Sequence, residues 1–244
     1  MKQLTKRIHS EKLLVAAQHM NARLRRLRFA EPVAYVYNPL EYVWDGYAQY
    51  VQRYIHGPVR CLFLGMNPGP WGMAQTGIPF GEVGIVRDWL KISPQYTQPK
   101  RAHVQRPIAG VACRRSEVSG ARLWGMLKHR YTTPQQFFDT NFVANYCPLA
   151  FMEISARNRT PDKLPAAERA ALYGICNEHL VATVEVLKPE VVVGIGQFAE
   201  SRAKDALKDA VRIVRILHPS PASPASNRDW AGEARRQLKS LQVW

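Results

Sequence analysis

Cysteines, acidic residues and long apolar runs are all scarce in this sequence. The four cysteines are spread along 244 residues without a CxxC pair, which disfavours a zinc or iron–sulfur site and favours buried thiols in a reducing compartment. No apolar run approaches the roughly 20 residues that a membrane-spanning helix needs. The basic N-terminus lacks the apolar core and the cleavage site of a signal peptide. We therefore expect a cytosolic protein that holds no metal and does not contact a membrane.

Basic residues strongly outnumber acidic ones. The sequence has 34 Lys and Arg against 19 Asp and Glu, a formal net charge of +15, and the excess is concentrated in residues 23–28, 100–115 and 202–215. Basic side chains that displace counterions from phosphates supply most nonspecific affinity for nucleic acids. The charge therefore favours a nucleic-acid partner over a membrane surface. For the run at residues 23–28, a solvated helix face stays open as an alternative.

Four short apolar runs are typical of buried strands, and helical patterns separate them. The strands are predicted at residues 59–64, 141–146, 190–195 and 211–217, and the helices that follow or precede them at residues 81–92, 119–129, 166–188 and 197–208. Two further helices come before the first strand, one with Ser10 as its N-cap and one over residues 41–56. Alternating strands and helices imply right-handed crossovers. We predict a single α/β domain with a central four-stranded, mainly parallel sheet, helices on both faces, and an N-terminal helical extension over residues 1–34.

The loops after these predicted strands carry the polar residues that are candidates for chemistry. In parallel sheets, sites form where the carboxyl ends of the strands meet. Asn67, Asn145, Gly196 and His218 each follow or end one of the four strands. An amide such as Asn67 can orient a water molecule but cannot take its proton, and no carboxylate lies between residues 65 and 81. From local chemistry alone, a structural turn at Asn67 stays equally open.

The same loops carry a family resemblance. The nineteen-residue segment GMNPGPWGMAQTGIPFGEV, residues 65–83, resembles the first signature of the single-strand-selective monofunctional uracil-DNA glycosylases, and HPSP at residues 218–221 resembles the second. NYCPL at residues 145–149 and GIGQFAE at residues 194–200 are also similar to family segments. The resemblance runs over residues 35–230. It implies the three-layer α/β/α fold of the uracil-DNA glycosylase superfamily, with a bacterial source expected.

The resemblance implies a monofunctional DNA glycosylase of base excision repair. It would flip uracil or a 5-modified uracil such as 5-hydroxymethyluracil out of single- or double-stranded DNA and hydrolyse the N-glycosidic bond. No metal or organic cofactor is implied, and a monomer is expected. Such an enzyme would lie in the cytoplasm at the bacterial nucleoid, or in the nucleus of a eukaryote. Which damaged base it prefers stays open.

Roles for individual residues follow from the same resemblance. Asn67 would position the attacking water, and His218 would stabilise negative charge on the departing base. Asn145 would read the uracil edge and Phe80 would stack on the base. The full base-binding set is Met66, Gly69, Met73, Phe80 and Asn145. The DNA-contacting set is Gly196, Ser220, Pro221, Ala222 and Ser223.

Two other classes of function stay open from the sequence. The first is a non-catalytic sensor of uracil or abasic DNA, which intact Asn67 and His218 disfavour. The second is a nucleotide-handling enzyme, disfavoured because no P-loop is present. The absence of lysine from the three motifs argues against a Schiff-base step. Ala222 and Ser223 stand where better-known relatives have a basic residue and an amide, so weaker strand contacts are expected there.

Overall fold

The computed structural model describes residues 2–221 and 226–244, with side chains from residue 8 onward. Two 3-10 helices lie at Gly110–Ala112 and Pro161–Lys163. The α-helices are α1 (Lys2–Leu24), α2 (Pro39–Tyr42), α3 (Trp44–Tyr54), α4 (Met73–Thr76), α5 (Val83–Asp88), α6 (Val118–Arg130), α7 (Pro134–Phe138), α8 (Ala166–Leu187), α9 (Gln197–Leu207) and α10 (Trp230–Ser240). The strands are β1 (Tyr35–Tyr37), β2 (Cys61–Gly65), β3 (Asn141–Asn145), β4 (Ala150–Met152), β5 (Asn158–Arg159), β6 (Val191–Ile195) and β7 (Arg212–Ile216).

The central sheet has the strand order β3-β2-β6-β7, and every neighbouring pair in it is parallel. All five residues of β2 and all five of β6 are buried. Continuous burial is typical of parallel strands that are covered on both faces. The predicted four-stranded sheet is therefore confirmed, and the predicted strands differ from the observed ones only at their ends.

Helices cover both faces of this sheet. Successive strand residues point to opposite faces, and Phe63 and Leu64 show what each face meets. The Phe63 ring packs against Phe137 of α7, with ring centroids 6.1 Å apart. Leu64 lines a small cavity together with Leu13 of α1 and Leu180 of α8. This arrangement confirms the predicted three-layer α/β/α architecture.

The first helix is longer than its sequence pattern suggested. Ser10 was expected to be the N-cap, but α1 begins at Lys2 and Ser10 is buried within it, so that prediction is wrong. The helix packs on α8 and α3 through an apolar face that includes Leu13, Ala17 and Met20. Because this face is largely buried, α1 is part of the core rather than a loosely attached preface.

A second sheet was not predicted. β1, β4 and β5 form a small antiparallel sheet in the order β1-β4-β5. Strands of two or three residues are too short to show a period-two pattern, so these strands cannot be predicted from the sequence. The predicted helix over residues 41–56 is also interrupted, because Val43 leaves the helical conformation between α2 and α3. The sheet matters for the site because β4 begins soon after β3 ends, and the short segment between these strands contacts the loop after β2.

Candidate active site

The carboxyl ends of the four central strands bring four loops to one edge of the sheet. β2 ends at Gly65 and β3 at Asn145, and these two residues are partners in the parallel ladder. Gly196 directly follows β6, and His218 lies two residues after β7. The strand order thus places these residues at a common edge, as the sequence predicted. The roles assigned to their side chains stay predictions.

Asn145 and Phe80 meet directly above the end of β2. A Cβ atom added at Gly65 would lie 2.3 Å from Oδ1 of Asn145 and 2.4 Å from Cε2 of Phe80, so only glycine allows both side chains to approach here. Asn145 Nδ2 donates to the sulfur of Met73 at 3.3 Å. Its Oδ1 is buried without a hydrogen-bond partner among the described residues. Leaving a buried acceptor unpaired costs roughly 1–3 kcal/mol, and a ligand N–H at this position would remove that cost.

Phe80 adopts a backbone conformation that non-glycine residues rarely use. Its φ is 54°, in the left-handed region. Two backbone hydrogen bonds fix the turn, from Gly81 N–H to the Ile78 carbonyl at 2.8 Å and from Glu82 N–H to the Phe80 carbonyl at 2.7 Å. Strained residues of this kind persist where the surroundings fix them, often at ligand sites. The turn holds the buried Phe80 ring beside His218, with ring centroids 6.4 Å apart.

The His218 ring is neutral, and its tautomer follows from one contact. Burial lowers the pKa of His218 to about 4, so the ring carries no charge near pH 7. The Ser220 backbone N–H donates to its Nδ1 at 3.0 Å. A neutral imidazole that accepts at Nδ1 carries its proton on Nε2. His218 therefore presents a neutral N–H donor, which the sequence alone left undecided.

The amide of Asn67 is oriented by a backbone carbonyl. Its Nδ2 donates to the carbonyl of Leu149 at 3.0 Å. Because Nδ2 is engaged, Oδ1 remains as the acceptor that the side chain offers. The loop itself is tied to the end of β3, since Cys147 N–H donates to the Met66 carbonyl at 2.9 Å. An amide held in this way can orient water without removing its proton.

Glu117 is a part of this region that the sequence did not reveal. It is the N-cap residue of α6, and its carboxylate lies against the loop after β2: a Cβ atom at Gly69 or at Gly72 would come within 2.0 Å of a carboxylate oxygen. Burial and then the neighbouring charge of Glu82 raise the pKa of Glu117 to about 7, against a lowering hydrogen bond from the Gly69 backbone. Oε2 is buried and unpartnered within the described chain. The loop after β2 has no carboxylate of its own, and the carboxylate of Glu117, from the start of α6, packs against it.

Replacing Glu117 by Gln is expected to stabilise the protein at alkaline pH. An unfolded Glu titrates near ~4.3, whereas the folded carboxyl titrates at about 7. The folded state binds more protons between these values, so the free energy of unfolding falls as pH rises through this window. Above it, the wild type holds a buried charge that Gln lacks. Thermal and denaturant unfolding at pH 8 should favour the variant by up to ~3 kcal/mol, and the advantage should shrink towards pH 5.

The control for this prediction is Glu185→Gln, which removes an exposed carboxylate from α8. It should change stability little at either pH. An advantage of Glu117→Gln that is equal at pH 5 and pH 8 would mean that packing, rather than charge, is responsible.

The remaining predicted site residues are Gly196, Pro221, Ala222 and Ser223. Gly196 has a φ of 89° and lies against His218, since a Cβ atom there would be 3.0 Å from the Cβ of His218. Pro221 is exposed, and its carbonyl accepts a hydrogen bond from Asn227 Nδ2 at 2.9 Å. Ala222 and Ser223 lie outside the described residues. The structure therefore joins Gly196 to the candidate site and leaves Pro221 at the surface beside it.

Residues 2–221 and 226–244 contain neither a candidate metal site nor a candidate membrane span. In this part of the chain, no three His, Cys, Asp or Glu side chains form a group able to hold a metal ion. None of its helices combines the length and the apolar character that crossing a membrane requires.

Comparisons with known proteins agree on one family. The profile described as "Uracil DNA glycosylase superfamily" matches residues 54–239. The single-strand selective monofunctional uracil-DNA glycosylase of Rattus norvegicus is 48% identical over 235 residues, which cover 95% of this chain and 84% of the rat protein. The corresponding protein of Bos taurus is 46% identical over 235 residues, covering 95% of this chain and 86% of its own length.

A solved structure gives independent support for the fold. The crystal structure of wild-type Pedobacter heparinus SMUG2 superposes with a TM-score of 0.67, covering 93% of this chain and 97% of that one. The two sequences are 18% identical, so this likeness bears on the fold alone.

Proposed function

The chain belongs to the uracil-DNA glycosylase superfamily and, within it, to the single-strand-selective monofunctional family, and we propose that Asn67, Asn145 and His218 hydrolyse the bond between uracil and deoxyribose. The protein is a monofunctional DNA glycosylase of base excision repair, a hydrolase of N-glycosyl bonds. The observation that carries the proposed residue roles is the buried Oδ1 of Asn145, which has no hydrogen-bond partner among the described residues and lies near Phe80, whose ring in turn lies beside His218.

Recognition of uracil follows from the Asn145 amide. Uracil offers a ring N–H and a carbonyl on the edge that pairs in duplex DNA, whereas cytosine offers a bare ring nitrogen and an amino group. Oδ1 of Asn145 would accept from the uracil N–H, and its Nδ2 would leave the weak Met73 sulfur acceptor for the uracil carbonyl. Cytosine would present the opposite pattern and leave buried groups unpaired, which is how hydrogen-bonding sites discriminate strongly. The target base reaches this pocket by leaving the base stack.

Cleavage separates charge, and the site supplies neutral groups where that charge develops. The electrons of the glycosidic bond move to the base while positive charge builds on the sugar. The Nε2–H of His218 would donate to a uracil carbonyl and stabilise the anionic leaving group, a contribution of roughly 3 kcal/mol for one preorganised donor. The water held by Asn67 would bond to the anomeric carbon, and its proton would pass through solvent to the departing uracil anion. No protein nucleophile takes part in this scheme.

The experiment that tests this proposal uses a labelled oligonucleotide with one uracil and EDTA throughout. We expect no strand break after incubation with the protein and a single break after alkali treatment, because hydrolysis leaves an intact abasic strand. An oligonucleotide with cytosine at the same position is the control and should stay uncut. Tight binding to uracil DNA without any cut would instead favour the alternative, a non-catalytic sensor of uracil or abasic DNA.

The range of substrates is part of the proposal. The Met73 side chain contacts Asn145, and in our proposal the backbone from Gly69 to Met73 forms the wall next to ring carbon five of the base. We propose that uracil and 5-modified uracils such as 5-hydroxymethyluracil are accepted, in single- and double-stranded DNA. A monomeric state and a cytoplasmic, nucleoid-associated location, or a nuclear one in a eukaryote, stay predictions.

A further inference from the structure

A basic groove lies on the outer side of the loop that follows β2. It is formed by Trp71, Arg106, Arg114 and Arg115, with Pro107 and Cys113 between them. We call this set of six residues the basic groove. The segment from residue 100 to residue 115 that supplies most of it has no assigned part in base recognition or cleavage.

The arginines of the basic groove are positioned but not neutralised. The guanidinium of Arg115 lies 4.6 Å from the centre of the Trp71 ring, and that of Arg106 lies 5.2 Å from it. Arg106 Nε also donates to the Ala156 carbonyl at 3.1 Å. No carboxylate in residues 8–221 or 226–244 pairs with Arg106, Arg114 or Arg115, whereas Arg159 and Arg202 do have acidic partners. Cations held by an aromatic ring and left unpaired are suited to an anionic ligand.

The basic groove and the proposed base site share one loop. Met73 contacts Asn145, and Trp71 of the basic groove lies only two residues earlier. Two residues of extended chain span at most ~7 Å. With the target base placed beside Asn145, as proposed above, the basic groove is near enough to meet the neighbouring backbone of the same strand.

We propose that the basic groove binds backbone phosphates of the strand that carries the target base, next to the flipped nucleotide. Arg106 and Arg115 contact the phosphates, because a planar guanidinium matches phosphate oxygens in pairs. Trp71 holds the two guanidiniums in place and does not itself stack on a base. This inference rests on the proposed function, since it takes the pocket as the position of the target base.

The test measures binding as a function of salt. Fluorescence anisotropy would follow a labelled single-stranded oligonucleotide that carries a tetrahydrofuran abasic analogue, which the enzyme cannot cleave. We expect the double variant Arg106→Gln/Arg115→Gln to bind at least ~10-fold more weakly than wild type at moderate salt. The slope of log K against log salt should become shallower by about 1.4, which corresponds to two lost single-strand phosphate contacts.

The matched control is Arg26→Gln/Lys239→Gln. It removes the same charge from two exposed positions, one just after the end of α1 and one in α10. It should change affinity and slope far less. Equal effects of the two double variants would overturn the proposal, since they would show only the loss of overall charge. A loss of affinity in Trp71→Ala larger than that of the arginine variant, with an unchanged salt slope, would identify base stacking instead and also overturn it.

Neutral methylphosphonates locate the contact. Replacing single phosphates on either side of the abasic analogue should weaken wild-type binding at one or two positions and leave the Arg106→Gln/Arg115→Gln variant unaffected there. An equal loss in wild type and variant at every position would contradict the proposal. Uracil cleavage by the variant should need a higher enzyme concentration than cleavage by wild type, in proportion to its weaker binding. A wild type that cleaves no uracil but shows the expected salt and methylphosphonate pattern would count against the proposed function and not against the basic groove.

Discussion

Asn67→Ala is expected to slow the cleavage of uracil-containing DNA by about 10²- to 10³-fold, the typical cost of removing one preorganised polar group. The Asn67 amide is fixed by its Nδ2 contact to the Leu149 carbonyl at 3.0 Å, and in the proposed function its Oδ1 orients the attacking water. Alanine provides no acceptor, so the water loses its position while the recognition of the base through Asn145 persists. Single-turnover rates with enzyme in excess measure the chemical step, and anisotropy with an uncleavable analogue measures affinity, which should be nearly unchanged.

Gln52→Ala is the control for this experiment, because it removes an exposed side-chain amide from α3 away from the strand ends. Its rate and affinity should match those of wild type. A parallel loss of rate, affinity and melting temperature in Asn67→Ala would show that the contact with Leu149 serves the fold and not the reaction.

The sequence predicts those parts of the site that depend on buried strands. Each central strand is a short apolar run. Asn145 ends one of these runs, and His218 follows another directly. Since parallel strands share one carboxyl edge, these residues had to lie on the same side of the sheet. The nineteen-residue signature favours a catalytic role for Asn67 over an ordinary turn, whereas local chemistry leaves the two equally open.

The features that the sequence did not predict depend on long-range packing. Glu117 reaches Gly69 and Gly72 from another helix, and neither its spacing nor its neighbours distinguish it from a solvated carboxylate. Only the pair of glycines hints that something occupies the space beside that loop. The Leu149 carbonyl was equally invisible, because a backbone acceptor has no sequence signature. The prediction of Ser10 as an N-cap was wrong because the helix begins eight positions earlier, at Lys2.

Charge is distributed differently inside and outside the candidate site. Within the pocket, Asn67, Asn145 and neutral His218 are polar groups without formal charge near pH 7. The cations of the basic groove, which have no carboxylate partner within residues 8–221 and 226–244, lie against Trp71 of the same loop. Cations outside attract the polyanionic strand, while fixed neutral dipoles in a buried pocket act strongly on charge that develops during the reaction. This separation explains how a chain of high positive charge can read a neutral base.

His218→Leu is expected to reduce the single-turnover rate on uracil DNA by about 10²- to 10³-fold, because the leaving base loses its Nε2–H donor. The pKa of His218 is about 4, so the ring stays neutral above this value. The wild-type rate should therefore show no titration from His218 between pH 5.5 and pH 8.5. A group that had to be protonated at Nδ1 would lose activity in that range, but Nδ1 is already occupied by the Ser220 N–H.

Two further variants separate the donor from the shape of the ring. His218→Gln keeps an N–H donor without an imidazole, and its rate should lie between those of His218→Leu and wild type. His129→Leu removes an exposed histidine from α6 and should leave the rate unchanged. A His218→Leu rate within a few-fold of wild type would remove His218 from the catalytic set. Catalysis would then have to rest on Asn67 and on the residues around Asn145.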